Sequence, residues 1–279
     1  MKNINWSELG FGYFKTDYNV RCEYKDGKWG ELYATEDVNM NIHMASTCLH
    51  YGQEVFEGLK AFRGADGKVR LFRVEENAKR MINSGEYLKM AVPSVELFTK
   101  ACIEAVKLNA DYIPPYGSGA SLYLRPMLIG VGPQVGVKPS ADYLFAVFVT
   151  PVGPYYKDGF NCIKVIIDYD HDRAAPKGTG HVKVGGNYAA SLDSGEIAHQ
   201  KGFASVIFLD PATKQYIDEC SAANFFGIRD GKYITPDSHS VLPSITNKSL
   251  RQIAEDLGLK VEQRKVGVEE LPTFSEAGC

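Results

Sequence analysis

The sequence predicts a two-domain α/β (α+β) protein, on three observations. Its 279 residues amount to about two domains at ~150 residues each, and 44% of them are apolar, enough to bury a core. Short strand-like runs punctuated by glycine turns give way to helical periodicity, and the alternation then starts again. Between the two halves, Pro151 to Gly159 carries two prolines and two glycines and reads as a linker.

In chain order, turn signals at Asp26-Gly27 and Arg63 to Gly67, with the β-rich stretch Lys68 to Phe72, give the first 70 residues the character of strands and hairpins. Ala78, Met81 and Ile82 recur at helical spacing over 75–87. Ser94 starts a second helix that carries Leu97, Ala101, Ile103, Val106 and Leu108. Residues 120–128 and 142–150 read as buried strands. The boundaries expected are thus an N-terminal α/β domain over 1–150, a linker over 151–160 and a second domain over 161–279.

The second half opens with a strand over Ile163 to Asp168 and a glycine-rich stretch over Gly178 to Gly186. A helix from about Tyr188 to Gln200 and a strand over Ala204 to Leu209 follow. Asp210-Pro211 turns into a hairpin. After Leu242 to Thr246 comes an amphipathic helix with Leu250, Ile253, Ala254 and Leu257, stopped by Gly258 and followed by a strand over Leu259 to Gln263.

Composition narrows the partner. Lys plus Arg number 31 against 34 Asp plus Glu, a formal charge of −3, so no global field gathers nucleic acid or presses the chain onto an anionic membrane. A small molecule is the expected ligand. Cys22, Cys48, Cys102, Cys162, Cys220 and Cys279 form no C-x-x-C pair, which argues against a zinc knuckle or a redox dithiol. The six histidines show no i, i+4 pairing, so no metal site is expected. No apolar h-region follows Met1, and the longest apolar run, Tyr143 to Val149, is far shorter than a membrane span, so the expected location is the cytoplasm.

The stretch from Gly178 to Tyr188 sets Lys183 between two valines, ahead of a glycine pair and a helix start. Desolvation of such a lysine frees its amine for Schiff-base chemistry. On spacing alone, a surface lysine in a flexible loop is the more ordinary reading, since valines beside a lysine are common in strands. The glycines form neither a Rossmann fingerprint nor a Walker loop, so nucleotide binding by those routes is unsupported.

Six ordered blocks carry more. YGQEVFEGLKAFRG (51–64), SLYLRPMLIG (121–130), PVGPYY (151–156), KVGGNYAASL (183–192), DECSAANFF (218–226) and LPSIT (242–246) together resemble the fold-type IV (class IV) pyridoxal-phosphate aminotransferases, and within them the branched-chain amino acid aminotransferases. The resemblance covers nearly the whole chain. It implies a two-domain fold like that of D-amino acid aminotransferase, pyridoxal 5'-phosphate as cofactor, a homodimer, and ping-pong transfer of an amino group from leucine, isoleucine or valine to 2-oxoglutarate.

By the same resemblance, Lys183 is the catalytic residue, linked covalently to the cofactor and moving the proton. Glu219 faces the pyridine nitrogen and keeps it protonated. Tyr188 contacts the ring oxygen, and Asn224 is structural. Arg80 and the helix start at Ile245 and Thr246 hold the phosphate, which suits a bidentate cation and the free N–H groups of a helix N-terminus. Arg80 read alone is equally an ion-pair partner on a helix surface. Ser221 and Ala222 are small where the chain passes close to the cofactor. Tyr51, Phe56, Gly58, Tyr123, Arg125 and Tyr155 line the substrate pocket, with Arg125 placed to meet the distal carboxylate of glutamate.

The chain departs from the family pattern at Asn247, where many relatives carry a basic residue, and at Tyr233, where an aliphatic is usual. Beyond Cys279 the resemblance leads to the expectation of a Gly-Thr-Ala turn and further strands and a helix, so a shortened C-terminal domain is expected. Alternatives on the same fold are a D-amino acid transaminase and an aminodeoxychorismate lyase. An alternative of another kind is an inactive fragment that binds cofactor weakly.

Overall fold

A computed structural model describes residues 2–155 and 161–279. Contacts divide the chain into two compact units, Met1–Asn161 and Cys162–Cys279.

The first unit is an antiparallel sheet with one short helix and two longer ones. Its elements are β1 (Asn19–Lys25), β2 (Lys28–Trp29), β3 (Tyr33–Thr35), α1 (Thr47–Tyr51), β4 (Glu54–Phe56), β5 (Leu59–Arg63), β6 (Val69–Leu71), α2 (Val74–Tyr87), α3 (Val95–Leu108), β7 (Ser121–Gly130) and β8 (Tyr143–Val152). The strand order is β2-β1-β8-β7-β5-β6, with β3 on β1 and β4 on β7. Both expected helices are present. Ser94 caps α3 as expected, its hydroxyl accepting the Leu97 N–H at 3.1 Å. The expected linker begins later than Pro151, because Pro151 and Val152 still pair with Leu122 and Ser121 as the end of β8. Residues 156–160 of that expected segment lie outside the described residues.

Period-two alternation along β7 sorts its side chains onto two faces. Leu122, Leu124 and Leu128 are fully buried in the core, where Phe98 of α3 stacks on Phe145 of β8 with ring centroids 5.8 Å apart. Tyr123, Arg125 and Met127 point to the opposite, half-buried face. Their cross-strand neighbours in register are Thr150, Phe148 and Ala146 on β8, Lys60 on β5 and Phe56 on β4. One sheet face is therefore core, and the other carries aromatic rings with the Arg125 guanidinium among them.

The second unit comprises β9 (Val165–Asp168), α4 (Gly185–Ala190), α5 (Leu192–Gln200), β10 (Ser205–Leu209), β11 (Ile217–Cys220), β12 (Phe226–Arg229), β13 (Lys232–Pro236), α6 (Ile245–Asp256), β14 (Lys260–Arg264) and β15 (Glu276–Gly278). Two sheets form, β11-β10-β9 and β14-β13-β12-β15. β9 and β10 are parallel, as are β13 and β14, so each pair needs a long crossover. The crossover from β9 to β10 carries Lys183 and the helices α4 and α5; the other carries α6. Ile207, Leu209, Ile217, Cys220, Phe225, Ile234 and Val266 form the core between these strands.

The single helix expected over 188–200 is two helices. The first starts early, at Gly185, and ends at Ala190; the second runs from Leu192. At the junction Ser191 turns its hydroxyl back onto the Tyr188 carbonyl at 2.8 Å, the local competition that makes serine a poor helix interior.

Candidate active site

In the second unit the site is built on the β9–β10 crossover. Val182 and Val184 are buried and anchor the backbone on both sides of Lys183. The buried Asn187 staples the loop from beneath: its amide donates to the carbonyls of Thr179 (2.7 Å) and Val182 (3.0 Å) and accepts the Thr179 hydroxyl (2.7 Å). Lys183 Nζ then lies 2.6 Å from the Tyr188 hydroxyl and 4.9 Å from the centre of its ring.

Glu219 lies next to last on β11, with 4% of its surface exposed. One carboxylate oxygen meets Arg173 Nη2 at 2.5 Å and the Leu242 N–H at 3.4 Å; the other accepts from the Asn224 amide at 2.7 Å. Burial pushes its carboxyl up to about 7, against the opposing pull of Arg173, the Leu242 N–H and Asn224. Arg173 also donates to the carbonyls of Gly180 and Ser240, tying the lysine loop and the segment ahead of α6 to this carboxylate. Gly180 must be glycine here, because a Cβ would lie 2.4 Å from the Ser240 carbonyl oxygen.

Ser221 is committed to β10: its N–H donates to the Val206 carbonyl and its hydroxyl accepts the Val206 N–H. Ala222 is exposed. At the start of α6 the Ser244 hydroxyl takes the Asn247 N–H at 3.1 Å. The N–H groups of Ile245 and Thr246, ahead of it in the first turn, face out of the helix start and suit an anion. Tyr233 and Asn247, the two departures from the family pattern, bond to each other at 2.8 Å.

In the first unit Arg80 is engaged by a carboxylate. Its Nε and Nη2 donate to the two oxygens of Glu57 at 2.7 and 2.8 Å, and Asn77 donates to Glu57 at 2.8 Å. Phe56, Gly58, Tyr123, Arg125 and Tyr155 come together on the half-buried sheet face. The Arg125 guanidinium lies 4.8 Å from the Phe56 ring centre and donates to the Tyr123 hydroxyl from Nη2 at 3.0 Å. A Cβ on Gly58 would lie 2.3 Å from that hydroxyl. Tyr51 makes a different contact, donating to the Val135 carbonyl.

Four contributors have no role in the sequence reading. Phe11 packs edge-on against Tyr123 (5.2 Å) and Tyr155 (5.3 Å), carried there by a segment that crosses β8 so closely that a Cβ on Gly153 would lie 1.9 Å from the Leu9 carbonyl oxygen. The Gly10-Phe11-Gly12 run was the available signal. Asn187 lies inside the quoted GGNY block and Glu57 inside YGQEVFEG. Arg173 has no local signal, since its partners are distant in sequence.

The family model described as amino-transferase class IV matches residues 54–278, more than half of the chain. The chain belongs to the class IV aminotransferases. A branched-chain-amino-acid aminotransferase of Haemophilus influenzae is 52% identical to this class IV chain, over all of it and 83% of that protein. The crystal structure of the Escherichia coli branched-chain amino acid aminotransferase superposes with a TM-score of 0.77 at 28% identity, covering 94% of this chain and 82% of that one. A T.th. branched-chain amino acid aminotransferase, complexed with N-(5'-phosphopyridoxyl)-L-glutamate, superposes with a TM-score of 0.74 at 27% identity, over 95% and 82% of the two chains. The fold is therefore that of fold-type IV aminotransferases. Among the described residues of this class IV member, no helix is long and apolar enough to cross a membrane, and no group of three His, Cys, Asp or Glu side chains could hold a metal ion.

Proposed function

We propose that this chain transfers the amino group of leucine, isoleucine and valine to 2-oxoglutarate, with pyridoxal 5'-phosphate as cofactor. The observation that carries the reading is 52% identity, over the whole chain, to a protein named a branched-chain-amino-acid aminotransferase. The side chains fit the group chemically. A buried carboxylate with three donors, Glu219, suits a protonated pyridine nitrogen; the α6 start and Arg80 suit a phosphate; Lys183 supplies an amine beside a phenol. When bound, the cofactor supplies a conjugated ring that takes up the electron pair left at the substrate Cα.

The chain's own residues do the rest. Lys183 anchors the cofactor covalently and moves the proton at Cα. Tyr188 holds the Lys183 amine in place and contributes its hydroxyl to the ring oxygen. Glu219 keeps the pyridine nitrogen protonated, and Ser221 and Ala222 let the backbone pass close by. In the second unit Ile245 and Thr246 offer backbone N–H groups to a phosphate, and in the first unit Arg80 is a cation suited to one. Phe56, Gly58, Tyr123 and Tyr155, with Phe11, enclose the aliphatic side chain, and Arg125 meets the distal carboxylate of glutamate.

Two features support a homodimer. Val135 and Val137 are each 85% exposed, and Met44 and Leu49 are also open, an apolar surface that a second copy would cover. Tyr51, bonded to Val135, belongs to that surface and would reach a substrate from there. The cysteines are thiols rather than disulfides, in accord with a cytoplasmic location.

The test is the visible absorbance of the purified chain with pyridoxal phosphate, before and after L-leucine, with detection of 4-methyl-2-oxopentanoate. A cofactor band that shifts with release of the keto acid is expected. Cofactor bound with no shift and no keto acid from any branched-chain amino acid would refute the substrate assignment.

A further inference from the structure

Glu219 is connected to α6 by a chain of neutral side chains whose orientations leave each other no freedom. The two amide hydrogens of Asn224 go to Glu219 (2.7 Å) and to the Leu242 carbonyl (3.0 Å), so its oxygen must face the other way. That oxygen accepts from the Asn247 amide at 3.2 Å. The second Asn247 hydrogen goes to the Thr235 hydroxyl at 2.9 Å, which can only accept there because it donates to the Phe225 carbonyl at 2.8 Å. The Asn247 oxygen accepts the Tyr233 hydroxyl at 2.8 Å. Tyr233 and Thr235, on β13, thus decide which end of Asn247 faces Asn224, and Asn247, together with the Leu242 carbonyl, holds the Asn224 amide on Glu219.

We propose that Asn247, oriented by Tyr233, is a positioning residue that keeps the Asn224 donor on the Glu219 carboxylate and joins that carboxylate to the first turn of α6. Asn247 belongs to that turn, and its own N–H is held by Ser244. In the cofactor assignment above, on which the functional half of this inference rests, one relay then sets the spacing between the group facing the pyridine nitrogen and the donors facing the phosphate. The relay is uncharged, so it supplies direction without adding a second cation to Glu219. Among the described residues, the charged and titratable groups acting on Glu219 are Arg173, ahead of the lysine loop, and its strand neighbours Asp218 and Cys220, which point to the other face of β11.

Removing the relay takes away the donor on the Asn224 oxygen and loosens the Asn224 amide from Glu219, which disfavours the ionised carboxylate. The test follows the Glu219 carboxyl directly by 13C NMR titration of the cofactor-free chain, its signal identified by its loss in Glu219→Gln. In Asn247→Leu the Glu219 midpoint should rise by about one pH unit, and in Tyr233→Phe by about half as much, as expected for losing a donor to a buried carboxylate. Pyridoxamine 5'-phosphate affinity at pH 7, read by fluorescence quenching, should fall about fivefold in Asn247→Leu and recover at pH 9. An unmoved Glu219 midpoint in Tyr233→Phe, or in a folded Asn247→Leu, overturns the proposal. A moved midpoint in a chain whose wild type binds no pyridoxamine phosphate leaves the relay standing and refutes the cofactor assignment instead.

Discussion

Arg80 and Glu57 form a two-point ion pair, with guanidinium nitrogens 2.7 and 2.8 Å from the two carboxylate oxygens and the carboxylate 0% exposed. Glu57 comes from the turn between β4 and β5, and Arg80 from α2. The pair therefore fixes the direction of the cation against the sheet before any anion arrives. Asn77, one turn earlier on α2, and the Gly58 N–H at 3.3 Å also donate to the carboxylate. A buried ion pair is costly to break one-sidedly, because the surviving charge stays desolvated. Glu57→Gln should lower the unfolding free energy by roughly 3 kcal/mol and weaken pyridoxal phosphate binding at least tenfold, by release of Arg80 from its fixed orientation. Denaturant melts and cofactor titration check both. A variant with wild-type stability and affinity would show that the pair neither supports α2 nor aims Arg80.

Gly58 leaves room for one oxygen atom. A Cβ there would lie 2.3 Å from the Tyr123 hydroxyl and 3.0 Å from Cζ, and that hydroxyl is the acceptor for Arg125. Gly58→Ala must therefore displace Tyr123 and, with it, Arg125. Overpacking of this kind costs about 1–3 kcal/mol. The kinetic effect should be unequal: KM should rise roughly tenfold for glutamate, which depends on the guanidinium, and by less for leucine, which meets only ring surfaces. Equal changes for the two substrates would mean that Arg125 does not read the distal carboxylate.

What the sequence made legible, and what it hid, follows from range. The helices over 75–87 and 95–108 and the strands β7 and β8 were legible because periodicity and the Ser94 cap are local signals. The break at Ser191 was not, since a helix from Tyr188 to Gln200 satisfies the same pattern and only the bond from Ser191 back to Tyr188 interrupts it. Lys183 read alone was an ordinary surface lysine in a loop; six blocks taken together singled it out. Arg173 and Phe11 stayed hidden because each acts through residues far along the chain, Glu219 and Ser240 for one, Tyr123 and Tyr155 for the other. The departures at Asn247 and Tyr233 looked independent in sequence and are one hydrogen-bonded pair in space.

Two carboxylates give the second unit opposite pH dependences. Glu270 sits between Arg264, which contacts both its oxygens at 2.8 and 2.7 Å, and Arg229 at 3.1 Å. Chiefly through the Arg264 bonds, its carboxyl is held down to about 2. A carboxylate depressed in the folded state contributes stability above its unfolded value near 4.5, and that contribution drains away as pH falls toward 2. Glu219 is raised to about 7, so its contribution is fullest below 4.5 and is lost as pH rises through 7. Glu270→Gln should therefore destabilise the cofactor-free chain at pH 7 by about 1 kcal/mol, allowing for solvent screening, with the difference shrinking below pH 4. Chemical denaturation at pH 3.5, 5.5 and 7.5 checks this. A wild-type to Glu270→Gln difference that stays constant across that range would contradict the Arg264 clasp as its origin.

Lys183 and Tyr188 are five residues apart, on either side of the glycine pair that opens α4, and the 2.6 Å contact between them needs the loop to be held by Asn187. The lysine should be indispensable and the tyrosine contributory, because one forms the covalent link and moves the proton while the other only orients and donates. Lys183→Ala should therefore abolish keto acid release from L-leucine while leaving the chain folded, since the side chain is half-buried and the flanking valines carry the packing. Tyr188→Phe should keep the cofactor linked but lower the half-reaction rate by about 10²-fold, the lower end of what a positioned proton-handling group contributes. Asn187→Ala, which frees the loop without touching either group, should fall between wild type and Tyr188→Phe in rate and lose about 1–3 kcal/mol of stability through its unpaired carbonyl partners. Single-turnover absorbance with L-leucine orders the three variants. A Lys183→Ala protein that still releases keto acid at the wild-type rate would remove this amine from the reaction and, with it, the assigned role of Tyr188.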